Sequence, residues 1–180
     1  MPGTHDPRPL TGEPLALDLL NTRWNQEGVV QDLLADVDGL GVWLESTGLS
    51  GGYFPDSRML RHTLQARDAL RKAVDGSLEE GAKAVDAVLE HGRIRATLTA
   101  AGPGELPEFA NPAWGPAWLA ARNYLELLAT APDRIRGCAG HACILHFFDT
   151  SRNGTRRWCS MAACGNRAKA SRHYARSKES

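Results

Sequence analysis

Up to residue 130 the chain repeats apolar positions at helical spacing. The clearest run is 56–75, where Met59, Leu60, Thr63, Leu64, Arg67, Leu70, Ala73 and Val74 fall on one face. Asp56 follows Pro55 as a candidate N-cap, and Gly76 ends the run. Residues 78–90 predict a second helix with Ala82, Val85, Val88 and Leu89 inward. Residues 113–130 predict a third, with Trp114, Trp118, Leu119, Leu125 and Leu128 as its apolar content. Two shorter helices are expected near the start. One spans 13–22, with Pro14 in its first turn and Asn21 at its end; a strand is the alternative, because Leu15, Leu17 and Leu19 also alternate. The other runs from Leu33, Leu34 and Val37 through Val42, Trp43 and Leu44 to a stop near Gly48. Ile94, Ala96 and Leu98 alternate with Arg93, Arg95 and Thr97, which predicts a half-buried strand, and Gly102-Pro103-Gly104 predicts the turn of a small hairpin. Residues 1–12, rich in Pro, Gly and Thr, predict a loose arm. The expected fold is mainly α with a small β-hairpin over residues 1–133, followed by a separate module at 134–180.

Charge sharpens that division. The chain has 180 residues and a formal net charge of zero, but the two parts differ. Residues 134–180 carry ten Arg or Lys against Asp149 and Glu179, a balance of +8; residues 1–133 carry eleven Arg or Lys against nineteen acids, a balance of −8. Such asymmetry points to a basic module for an anionic partner on an acidic body. No stretch approaches the roughly 18 apolar residues of a membrane span, and the first residues lack a secretory pattern. A cytoplasmic protein with reduced thiols and no membrane association is expected.

All four cysteines fall in the basic module, as Cys138, Cys143, Cys159 and Cys164. Two close pairs joined by a hairpin-length connector follow the logic of a zinc ribbon or treble clef, in which both pairs share one ion. Thiolates select Zn²⁺ or iron over hard cations. Gly140 and Gly165 permit tight turns, and His141 and His146 are bystanders once four sulfurs close a tetrahedral site. The expected finger is treble-clef or ribbon-like, with a C-terminal helix. A closed four-thiolate site leaves no position for reactive water. No nucleophile–base motif or phosphate loop appears elsewhere, so an enzyme is not expected.

The basic residues have two expected settings. Asn153-Gly154 predicts a hairpin turn, which sets Arg152, Arg156 and Arg157 at its tip. A helix capped by Asn166, with Ser160 as the alternative cap, aligns Lys169, Arg172 and Arg176 on one face, bordered by His173. Arg167 either joins that surface or braces Asp149 or a carbonyl. Rigidly held cations suit phosphates, and nucleic acid is the expected partner. The alternatives are docking onto the acidic body or a solvated surface; an RNA would need aromatic groups for stacking, for which Tyr174 and His173 are the only candidates in the helix.

Residues Trp158-Cys159-Ser160-Met161-Ala162-Ala163-Cys164-Gly165-Asn166-Arg167-Ala168-Lys169 resemble the signature of the CGNR zinc finger family, as do Cys138, Cys143 and the stretch Phe148-Asp149-Thr150-Ser151-Arg152-Asn153. Leu17-Asp18-Leu19-Leu20-Asn21-Thr22 resembles the opening motif of the ABATE domain that precedes such fingers. The resemblance implies a bacterial stress-induced transcription regulator, with Cys138, Cys143, Cys159 and Cys164 as zinc ligands, a DNA-binding finger and an N-terminal domain that senses a small molecule. Asn21, Thr22 and Arg67 are the candidates for that effector site. Alternatively Asn21 and Thr22 cap a helix, and Arg67 pairs with an internal carboxylate such as Asp18. A homodimer formed through the helical body would suit a two-fold operator.

Overall fold

The computed structural model describes residues 5–167 and Lys169. Arg172, His173, Tyr174 and Arg176, and most of the expected C-terminal helix, lie outside the described residues.

The short run at 13–22 is a helix, α1 (Leu15–Leu20), rather than a strand. Ala16, Leu17, Asp18, Leu19 and Leu20 are all buried, so the rest of the body is built around this helix. Pro14 offers no side-chain cap; the carboxamide of Asn123 accepts the Ala16 N–H at 3.1 Å instead. The packing helices are α2 (Val37–Ser46), α3 (Ser57–Asp75), α4 (Leu78–Leu89) and α5 (Gly115–Thr130). Asp36, Asp56 and Ser77 accept a backbone N–H at the starts of α2, α3 and α4. Ala117, Ala120 and Ala121 of α5 let it approach the centre, where Leu17, Leu20, Trp43, Leu44 and Leu70 form the main core. Gly81 sets the crossing of α4 on α3: a Cβ there would lie 2.3 Å from the Ala73 Cα.

Strand content exceeds the single hairpin expected over residues 1–133. Three two-stranded antiparallel sheets form: β1 (Arg23–Gln26) with β2 (Val29–Asp32), β3 (Gly92–Thr99) with β4 (Gly102–Phe109), and β5 (Ile135–Gly137) with β6 (His146–Phe148). The β1–β2 turn is Glu27-Gly28, both at positive φ, a two-residue geometry that suits the twist of a ribbon. Arg-Trp-Asn-Gln does not announce this hairpin, because only Trp24 turns inward. In the second hairpin the turn is Ala100-Ala101, not Gly102-Pro103-Gly104, which opens β4. Pro103 and Pro107 fit because each strand of a ribbon has an outward edge that needs no N–H. The ribbon is half-buried only near its base; Leu98 is 83 % exposed.

The N-terminal arm is pinned rather than loose over residues 5–12. The Arg8 guanidinium is fully buried and donates to Asp18 Oδ1 at 2.6 Å, the Asp18 carbonyl at 3.0 Å and Ser46 Oγ at 2.9 Å, with Asp6 paired on its other side. Asp18 also accepts from Trp43 Nε1 at 3.1 Å and from the Gly12 N–H at 2.9 Å. One buried carboxylate thus ties the arm, α1 and α2 together.

Replacing Asp18 with Ala removes one of the two carboxylates that pair with the buried Arg8 and leaves an indole N–H and a backbone N–H without their acceptor. A loss of about 3–5 kcal/mol is expected in urea unfolding, the range for removing one partner of a buried pair. A change under 1 kcal/mol would mean that the arm does not hold the fold.

Candidate metal centre

The basic segment folds around its cysteines. The Cys138 N–H donates to the Leu145 carbonyl at 2.9 Å, which extends the β5–β6 pairing up to the first ligand. The chain then doubles back, with Ala142 at φ +58° and the Cys143 N–H on the Gly140 carbonyl at 3.0 Å. Gly140 is required by proximity: a Cβ there would sit 2.7 Å from Cys164 Sγ. The second pair is organised by Ser160, whose hydroxyl accepts the Ala163 N–H and whose carbonyl accepts those of Cys164 and Gly165. Ser160, and not Asn166, therefore caps this turn, because the wide helical turn Met161–Gly165 begins three residues before Cys164.

The four Sγ atoms lie within 4.8 Å of one another. Cys143 and Cys159 are 3.9 Å apart, and Cys159 and Cys164 3.6 Å. A tetrahedral ion with metal–sulfur bonds of about 2.3 Å needs sulfurs about 3.8 Å apart, and a disulfide would need about 2.0 Å. All four cysteines are free. The donor set is thus suited to one soft or borderline cation.

N–H groups already face the sulfurs. Gly140 and Cys159 donate to Cys138 Sγ at 3.4 and 3.2 Å, and Arg167 Nη2 lies 3.2 Å from Cys164 Sγ. Hydrogen bonds from the Cys143 and Cys159 thiols, then from these backbone groups, hold Cys138 far below the usual thiol range. Its thiolate pushes Cys143 up to about 12 and raises Cys159 as well. Four thiolates therefore need a cation among them.

The finger is seated on the body. Cys159 and Cys164 share a small second core with Trp24, Leu145 and Phe147, while Ile135 and Phe148 pack on the main core. The outer edge of β6 is completed by side chains of the body. The Asn21 carboxamide donates to the His146 carbonyl at 2.8 Å and accepts its N–H at 2.9 Å, and Glu13 accepts the Phe148 N–H at 2.9 Å. His146 Nε2 lies 2.9 Å from Asp75 Oδ1 at the end of α3.

Several expected site residues are occupied internally. Asn21 holds β6. Thr22 donates to the Leu19 carbonyl and accepts from Arg67. Arg67 grips Asp32 at 2.6 and 2.8 Å, and not Asp18, which Arg8 has taken. Asn21 and Thr22 are thus engaged in packing, and Arg67 in an ion pair that leaves its Nε–H without a partner among the described residues. Arg156 is likewise withdrawn from the basic surface. It stacks over Phe147 at 4.1 Å, pairs with Glu13 at 3.2 Å and donates to the Trp158 and Cys159 carbonyls.

No hairpin forms at Asn153-Gly154. The segment wraps around the buried Asp149, whose carboxylate takes the N–H groups of Ser151 and Arg156 at 2.9 and 3.0 Å in place of a partner strand. Burial pushes that carboxyl up, but these bonds and the Arg136 guanidinium bring it below its ordinary value. Arg152, Arg157, Arg167 and Lys169 are exposed; Arg157 lies over Trp158, and Arg167 also donates to the Ala163 carbonyl. The seam roles of Glu13 and Asp75 and the loop-holding role of Asp149 escaped sequence reasoning, since an acidic side chain that serves as an acceptor leaves no periodic signal.

These features define a four-cysteine metal finger docked on a helical body. Residues 134–177 match the CGNR zinc finger model, and residues 13–131 match the model described as "ABATE: Putative stress-induced transcription regulator". The chain belongs to the ABATE family and carries a CGNR zinc finger. No curated protein matches it.

Metal uptake displaces thiol protons, that of Cys143 included, so apparent Zn²⁺ affinity is expected to fall as pH is lowered, about tenfold per pH unit for each proton displaced. Competition with a chromophoric chelator measures this, and affinity independent of pH between 6 and 8 would contradict it. Gly140→Ala is expected to lower the affinity by about tenfold or more, because the added methyl crowds Cys164.

Proposed function

We propose that the chain is a zinc-dependent DNA-binding transcription regulator of the stress-response type. The observation that carries this is the set of cations left outward on the docked finger, Arg152, Arg157, Arg167 and Lys169, within a segment of charge balance +8. With Zn²⁺ and four thiolates that balance becomes about +6, still strongly attractive to phosphates. The description of the matching family supports the regulatory role. Cys138, Cys143, Cys159 and Cys164 would hold the zinc, which fixes the positions of the two knuckles; the ribbon-like first knuckle and the helical second one fit a treble clef. The chain's own residues do the rest. Asp149 shapes the loop that presents Arg152 and Arg157, and Arg167 braces Cys164 while remaining exposed.

An apolar small-molecule effector would not use Asn21 or Thr22, whose polar groups are engaged internally. A concavity of about 470 Å³ between α3, α4 and α5, lined by Ala82, Val85, Leu89, Tyr124 and Leu125 among others, has the size and apolar character of a ligand site. One finger presents few phosphate contacts, so a homodimer on a two-fold operator follows naturally. We place the protein in the cytoplasm and assign it no catalytic activity. No helix among the described residues is long and apolar enough to cross a membrane.

The test is titration of the zinc-loaded chain onto duplex DNA at two salt concentrations, with single-stranded RNA as competitor. Salt-sensitive preference for duplex is expected. Arg152→Gln and Arg157→Gln are each expected to weaken binding and to lower the salt slope by about one. No binding at low salt would sink the DNA assignment, and preference for RNA would replace it.

A further inference from the structure

We infer that Arg23, Arg67 and Arg71 form a binding site for a phosphate-type oxyanion on the body, beside its seam with the finger. Arg67 and Arg71 are one helical turn apart on α3, and Arg23 opens β1. Arg67 is 4 % exposed and grips Asp32; Arg23 Nε lies 3.7 Å from the same carboxylate. Arg71 spends little of its bonding capacity: one N–H reaches the Leu20 carbonyl at 3.2 Å, and Asp75 stands off at 3.6 Å. Asp75 is itself shared with His146. Three guanidiniums thus face two carboxylates in pairing range, with Asp68 on the exposed side of α3.

Two further observations point to a ligand. Buried Nε–H groups of both Arg23 and Arg67 have no hydrogen-bond partner among the described residues. Buried donors of this kind are normally satisfied. In addition, burial and then the nearness of Arg23 and Arg67 depress Arg71, despite Asp75. A bound dianion would relieve that crowding. The cluster is reachable, since the side chains of Arg23, Arg71 and Asp75 are 39 %, 24 % and 49 % exposed. Planar guanidinium forks match tetrahedral oxyanions bidentately, which selects phosphate or sulfate over halide.

The oxyanion has two sources, a free anion or the DNA backbone, and only the second rests on the regulator reading. The experiment uses the full zinc-loaded chain, with inorganic phosphate as the probe against chloride at matched ionic strength. Phosphate is expected to raise the thermal midpoint saturably, and Arg71→Gln and Arg23→Gln to flatten that response. Arg23, partly exposed, carries the test where loss of the Leu20 contact unfolds the Arg71 variant. If duplex affinity also falls severalfold in both variants and the salt slope drops by about one, the site takes a backbone phosphate. If the phosphate response is lost and duplex affinity is unchanged, the site takes a free oxyanion. No saturable phosphate response together with unaltered DNA affinity overturns the site, whether or not Arg152 and Arg157 prove to bind DNA.

Discussion

Thiolates repel. Four sulfurs gathered within 4.8 Å cannot all ionise unless a divalent cation sits among them, and much of the C-terminal geometry follows from that constraint. The knuckles are short and have little apolar surface of their own. Their N–H groups are turned onto sulfur, a glycine stands where any side chain would collide with Cys164, and Arg167 spends one donor on a ligand. The small core of Trp24, Leu145 and Phe147 packs against Cys159 and Cys164.

The same economy governs the seam with the body. A three-residue strand such as β6 has too few partners to be stable alone. β5 satisfies one of its edges. Asn21 and Glu13, which flank α1, satisfy the other, and Phe148 packs against the main core. The acidic body thus meets the basic finger through a few directed bonds, Arg156–Glu13 and His146–Asp75 among them, and not through diffuse attraction. That leaves Arg152, Arg157 and Lys169 outward.

Helices were legible where apolar spacing and capping agreed, as in α3, with Asp56 at its start and Gly76 at its end. The sulfur cluster was legible because four cysteines offer few alternatives. The β1–β2 ribbon was not, since Glu27 occupies a left-handed turn position without the usual residue type, and a single tryptophan faces inward. The buried arm was hidden for a related reason. A Pro- and Gly-rich start reads as loose until Arg8 finds Asp18, and that partnership is tertiary. Arg156 looked like a functional cation because sequence gives charge but not the partner that consumes it. Asp149 is the converse, an acid whose work is to stand in for a missing strand.

The two family matches meet between residues 131 and 134, which invites treating the finger as a cassette. The outer edge of β6 argues for a different unit of inheritance. Its hydrogen bonds end on Asn21 and Glu13, more than a hundred residues away in the chain. A chimera that grafts this finger onto a foreign body without equivalents of those two side chains would present an open strand edge, a known template for misassociation. Recombination among such proteins would therefore have to exchange the opening helix together with the finger.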